Sequence, residues 1–154
     1  MIYDAKAVKV ACNGVLKAAF NDELPIYGND TLDGYERPSF FTEILPAPRE
    51  KTGRYLTRHG FTFKVTYFET EHDEAHCLDV YKTICQAFEP FVVMNVNDKK
   101  RRLMVEDIEM AWIDENADML QVTINFYRVV ELGGYTDDND LMESVELDIE
   151  SEVY

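Results

Sequence analysis

Phe61-Thr62-Phe63-Lys64-Val65-Thr66-Tyr67-Phe68 is the stretch on which the fold turns. Phe61, Phe63, Val65 and Tyr67 fall on one side of an extended chain and Thr62, Lys64 and Thr66 on the other, the period of two that marks a strand with one buried face. The same rhythm returns downstream as a pair of runs. Ile108, Met110 and Trp112 alternate with Glu109, Ala111 and Ile113; after Asp114-Glu115-Asn116-Ala117-Asp118, a second run buries Leu120, Val122, Ile124 and Phe126 and turns Gln121, Thr123 and Asn125 outward. A short turn rich in Asp and Asn between two alternating runs predicts a hairpin.

Working outward, residues 37 to 45 read as an aromatic strand with Pro38 at its first residue or on an edge, where the missing N–H does least harm. Pro46 and Pro48 end that strand and open a loop through Gly53 carrying Arg49, Lys51, Arg54 and, further on, Arg58. Residues 91 to 96 (FVVMNV) form another strand, followed by a second basic loop, Lys99-Lys100-Arg101-Arg102. Two helices complete the order. The first, over residues 4 to 20, has Asp4 as N-cap, Ala7, Val8, Ala11, Val15, Ala18 and Ala19 along its apolar stripe, and Asn21-Asp22 at its end. A short apolar step, Leu24 to Tyr27, a turn at Gly28-Asn29-Asp30 and a surface loop to Glu36 follow. The second helix takes caps and first-turn acids from Glu71-His72-Asp73-Glu74, an apolar side from Ala75, Leu78, Val80, Tyr81, Ile84, Cys85 and Phe88, and a stop from Pro90. Runs of strands with helices set apart predict an α+β fold: an antiparallel or mixed sheet with both helices packed on one face. The chain divides into a single domain over 1–136 and an acidic segment over 137–154.

The charge sharpens that division. With 154 residues, 46% of them apolar, the chain can fill one core, and its 30 acids against 15 bases argue against a broad basic surface for nucleic acid or anionic membrane. Residues 137–154 hold Asp137, Asp138, Asp140, Glu143, Glu146, Asp148, Glu150 and Glu152 with no base. The body then carries 22 acids and 15 bases, a net charge near −7 out of −15. No apolar run approaches the roughly 20 residues that span a bilayer, and the N-terminus lacks a signal core, so a cytoplasmic protein is expected. Cys12, Cys77 and Cys85, an odd number without C-x-x-C spacing, read as buried apolar residues, with Cys12 and Cys85 on the helix stripes.

Chemistry-bearing motifs are sparse. His72 and His76 stand at i and i+4, a spacing that can ligate a metal, yet Asp73 occupies the place where a metalloprotease helix has Glu, and solvated polar residues at a helix start are expected instead. Glycine-rich phosphate loops and a G-x-S-x-G elbow are absent. Asp137-Asp138-Asn139-Asp140 opens like a calcium loop, but Met142 and Asp148 stand where Gly and Glu are needed. No catalytic, cofactor or metal residue is therefore assigned. What remains is an interaction protein whose opposite charges are segregated, as head-to-tail self-association would use them.

The combined pattern resembles a known family. A helix at the N-terminus, the Pro38-Ser39-Phe40-Phe41 strand, the loop with Arg54 before the aromatic strand, a second helix and the hairpin ending in Met119-Leu120-Gln121-Val122-Thr123-Ile124-Asn125-Phe126-Tyr127 look like the tail terminator proteins of phages and prophages of Gram-positive bacteria, over residues 1 to 132. The resemblance implies a structural, non-enzymatic virion protein without cofactors, assembled in the host cytoplasm. It forms a hexameric ring on the head-proximal end of the tail tube, stops tube polymerisation, touches the last sheath ring in contractile tails, and offers a surface for the neck or head connector. Arg49, Lys51, Arg54, Arg58 and Lys99, Lys100, Arg101 and Arg102 are then expected as subunit or tube contacts, and the acidic segment, with Asp137, Asp138, Asp140 and Glu143, as a neighbour contact. DNA passing through the lumen without sticking calls for some of the body's acids to face it. The competing class is an acidic DNA mimic that blocks a DNA-binding protein; inhibition of such an enzyme separates the two.

Overall fold

The computed structural model describes residues 3–28, 36–71, 73–113 and 119–132. Expectations for Gly28-Asn29-Asp30, His72, the turn at Asp114 to Asp118 and the acidic segment 137–154 fall wholly or partly outside them.

Helix α1 (Ala5–Ala19) starts where Asp4 accepts a 2.9 Å hydrogen bond from the Ala7 N–H, filling one of the unpaired donors of the first turn. Its buried line is Val8, Cys12 and Leu16, one residue every four, with Ala7, Ala11 and Val15 at the margins. The alanines read as the stripe thus flank a larger triplet. Asn21 and Asp22 end the helix in left-handed backbone (φ 55° and 56°), a conformation these two residue types tolerate. Strand β1 (Ile26–Tyr27) runs parallel to β2 (Ser39–Pro46), which pairs antiparallel with β5 (Phe61–Phe68). Between these lie β3 (Glu50–Lys51) and β4 (Leu56–His59); helix α2 (Glu74–Phe88) follows β5. Asp73 caps α2 by accepting from the His76 N–H at 3.1 Å. Strand β6 (Phe91–Val96) turns through Asn97 and Asp98 into β7 (Lys99–Trp112), which pairs with β8 (Met119–Phe126); β9 (Val129–Leu132) ends the described chain.

Six strands form one mixed sheet in the order β1-β2-β5-β8-β7-β6, and β3-β4-β9 form a small second sheet. Both helices pack on one face of the large sheet, around a single core. The inward residues predicted for β5 and β8, Phe61, Phe63, Val65, Tyr67, Leu120, Val122, Ile124 and Phe126, are all buried; in β5 the alternation of burial stops at Val65, since Thr66 and Phe68 are buried too. Phe63 meets Phe88 of α2 with ring centroids 5.8 Å apart. Strand β7 keeps Leu103 and Val105 inward and then Ile108, Met110 and Trp112, a change from odd to even positions. A β-bulge between Val105 and Asp107 makes the change possible, because one extra residue resets the phase of the side chains.

Three expectations are corrected. The segment from Arg49 to Arg58 is a short hairpin of the second sheet, completed by β9, rather than an open loop. Lys99 to Arg102 likewise begin a 14-residue strand, because Asn97 and Asp98 (φ 51° and 62°) close a two-residue hairpin turn directly ahead of them. On α2 the buried residues are Cys77, Val80, Ile84 and Phe88, while Leu78 is exposed and Cys85 only half-buried, so of the two cysteines expected to be buried there only Cys77 is.

Candidate interaction surfaces

The large sheet has a face that the helices leave uncovered, and the strand register fixes its composition. Glu43, Lys64, Thr123 and Glu109 stand side by side across β2, β5, β8 and β7; the neighbouring row is Leu45, Thr62, Asn125 and Asp107. The second row is tied together: Thr62 Oγ1 donates to Asn125 Oδ1 at 2.8 Å, and Asn125 Nδ2 donates to Asp107 Oδ1 at 2.7 Å. Opposite charges placed across neighbouring strands, as Glu43 and Lys64 are, stabilise the pairing. These two rows carry three carboxylates and one lysine; further along the same face stand Phe41 and Ala111, and at its β6 end Lys100 and Arg102, which alternate with the buried Leu103.

The expected basic residues occupy two separate places. Arg49, Lys51, Arg54 and Arg58 lie on and around the β3–β4 hairpin, all exposed. Arg58 Nε donates to Glu50 Oε2 at 3.1 Å, and Arg128 Nη1 lies 3.1 Å from Glu50 Oε1. The hydrogen bonds from Arg58 and then Arg128 hold the Glu50 carboxyl below the usual carboxylate range. Arg58 therefore shares its charge with an acid that the sequence reading passed over, and Arg54 lies over the Tyr55 ring at 5.7 Å. The second cluster belongs to the other end of the large sheet. Lys100 pairs with Asn95 and Arg102 with Val93, and the Arg102 guanidinium sits 4.7 Å from the centre of the Phe91 ring. Strand β6 is the last in its sheet, and the groove between it and α1, about 370 Å³, is lined by Asp4, Lys6, Ala7, Val10, Ala11, Val93 and Asn95. Val10 is 65% exposed there.

The N-terminal segment links the two sheets. The Tyr3 N–H donates to Glu131 Oε1 at 2.8 Å, Glu131 Oε2 meets His59 Nε2 at 2.7 Å, and the Tyr3 hydroxyl donates to the Arg102 carbonyl at 3.2 Å. His59 is buried, edge-on to Phe61 at 5.3 Å. Residues 72 positions apart meet here; a lone His and a lone Glu in short strands carry no local signal of such a pairing.

His76 takes part in a polar cluster. Its Nδ1 hydrogen-bonds the Glu69 carboxylate, and the Tyr67 hydroxyl donates to Glu69 Oε2 at 3.1 Å. Chiefly through the hydrogen bond to Glu69, the His76 imidazole titrates above its ordinary value; burial first, and then the Glu69 charge, push the Tyr67 phenol up. This joins β5 to the start of α2, whereas the sequence had marked His76 only as a solvated polar residue. Among the described residues, no cluster of three or more His, Cys, Asp and Glu is placed to hold a metal ion. No described helix is long and apolar enough to cross a membrane.

The family model described as "Phage tail terminator protein" matches residues 7–132. No curated protein matches. Among solved structures, a chain from the virion of a native gene transfer agent particle is similar at 17% identity and a TM-score of 0.46, covering 84% of this chain and 97% of that one.

Proposed function

Because the chain belongs to the phage tail terminator family, and is thus a structural protein of phage tails, we propose that it closes the head-proximal end of the tail tube as a homo-hexameric ring. The ring halts tube polymerisation and presents a surface to the neck or connector. In contractile tails it also meets the last sheath ring.

The observation that carries this reading is the segregation of surface by chemical character. On the side of the large sheet away from the helices, two adjacent rows across β2, β5, β8 and β7 carry Glu43, Asp107 and Glu109 against Lys64. Such a face suits a lumen that DNA must traverse, since carboxylates repel phosphates while Lys and Arg bind them with a salt-dependent affinity. The basic β6–β7 hairpin and the β3–β4 hairpin lie away from those rows, where they serve contacts between copies and with the tube. A ring needs two unlike patches that complement each other, and opposite charges on separate parts of one chain supply them.

The experiment is light scattering of the purified chain together with electron microscopy. Rings of six copies with Glu43, Asp107 and Glu109 on the inner wall are expected. A ring lined mainly by Lys and Arg would contradict the lumen assignment, and inhibition of a DNA-binding enzyme by the isolated monomer would favour the DNA-mimic class.

A further inference from the structure

Residues 144 to 154 read Ser-Val-Glu-Leu-Asp-Ile-Glu-Ser-Glu-Val-Tyr. Val145, Leu147 and Ile149 alternate with Glu146, Asp148 and Glu150, the pattern of a strand with one apolar and one acidic face. The body offers a place with the matching asymmetry. Strand β6 is an end strand, and among the described residues nothing pairs with its outer edge. An unpaired edge is a template for another strand. On the helix side of that edge lies the groove lined by Asp4, Lys6, Ala7, Val10 and Ala11 of the helix segment and by Val93 and Asn95 of β6, with Val10 largely exposed. Asn95 and Val93 stand next to Lys100 and Arg102, their partners on β7.

We propose that Val145 to Glu150 of one copy add as a strand to the outer edge of β6 in a neighbouring copy, an inference that rests on the ring reading above. Val145, Leu147 and Ile149 enter the groove beside Val10, while Glu146, Asp148 and Glu150 share the face of Lys100 and Arg102. Two strand spacings separate the added strand from β7, roughly 10 Å, which long acidic and basic side chains bridge. Main-chain hydrogen bonds give affinity in this mode of recognition, and the alternate side chains give specificity. Six residues match the six of β6. The chain between Leu132 and Val145, fully extended, reaches roughly 40 Å, enough to leave its own body. Charge complementarity selects the partner: the segment from Asp137 onward has no base, and the β6–β7 hairpin has four in succession.

The test uses two full-length variants, Val10→Asp in the groove and Leu147→Asp in the segment. Val10 is exposed, so its substitution leaves the core intact. Each variant alone is expected to associate about tenfold or more weakly than the wild type by light scattering, as loss of a central apolar anchor implies. An equimolar mixture is expected to recover dimers, because each copy supplies the half that the other lacks, and hydrogen exchange is expected to slow at the β6 amides in that mixture. Variants that assemble like the wild type would overturn the docking while leaving the ring reading standing. Variants that separate but do not complement each other would place the segment on its own chain and overturn the copy-to-copy contact. A monomeric wild type would also overturn it, and capping of tubes would still decide the ring reading.

Discussion

Replacing Glu131 by Ala removes the group that joins the small sheet to the body. Its two carboxylate oxygens serve the Tyr3 N–H at 2.8 Å and His59 Nε2 at 2.7 Å, and its side chain is 11% exposed. Truncation leaves His59, 2% exposed, without that partner and removes the acceptor from a half-buried amide. An orphaned buried polar group costs about 1–3 kcal/mol, so His59 alone sets about that much and Tyr3 adds a smaller part, for a total of about 2–4 kcal/mol. For a domain of this size each kcal/mol lowers Tm by about 2–4 °C, which places the fall at about 4–16 °C. Thermal unfolding by circular dichroism reads the shift. Glu131→Gln keeps an amide carbonyl for Tyr3 and is expected to lose about half as much. A double-mutant cycle with His59→Leu isolates the pair, with a coupling of about 1 kcal/mol or more expected. A Glu131→Ala protein within about 0.5 kcal/mol of wild type, the range of an ordinary surface substitution, would refute the reasoning.

Further outcomes follow from the same packing. Phe63→Ala, at a fully buried position against Phe88, is expected to cost about 3–5 kcal/mol by urea unfolding. The folded pKa of His76 lies above its unfolded value of 6.5, so its contribution to stability is fully present below pH 6.5 and is lost as pH rises through the folded pKa. The stability gap between wild type and His76→Gln should therefore be widest at mildly acid pH and close in alkali, and an NMR titration should place the imidazole above 6.5. Burial pushes the Cys12 thiol up and Cys77 is buried, so in the native protein a thiol reagent should modify Cys85 first and reach the other two only on unfolding. Glu50→Gln is expected to leave Tm unmoved, because its partners Arg58 and Arg128 are exposed and regain water.

The sequence made the long elements legible because their burial is periodic. Strand β8 and the first half of β5 bury every second residue, and α1 and α2 carry caps at Asp4 and Asp73 that side-chain chemistry announces. The second sheet escaped notice because its strands β3, β4 and β9 have only two, four and four residues, too few for a period to show, and β9 comes to β4 from a distant part of the chain. Lys99 to Arg102 hid a strand behind their charge: a run of four basic residues shows no alternation to mark extended backbone, and the signal lay in the Asn97-Asp98 turn. Cys77 is buried as expected while Cys85 is only half-buried, because the phase of α2 is set by Val80, Ile84 and Phe88, and Cys77 continues their line. The surfaces were legible as charge but not as pairing, and the Arg58–Glu50–Arg128 cluster and the His59–Glu131 contact both required the fold.

The most direct measurement is electron microscopy of tail tubes grown from the tube protein of the same phage, with and without this chain. A sixfold ring on one end of each tube is expected, with growth that stops when the chain is added. Tubes that lengthen at the same rate with bare ends would contradict it.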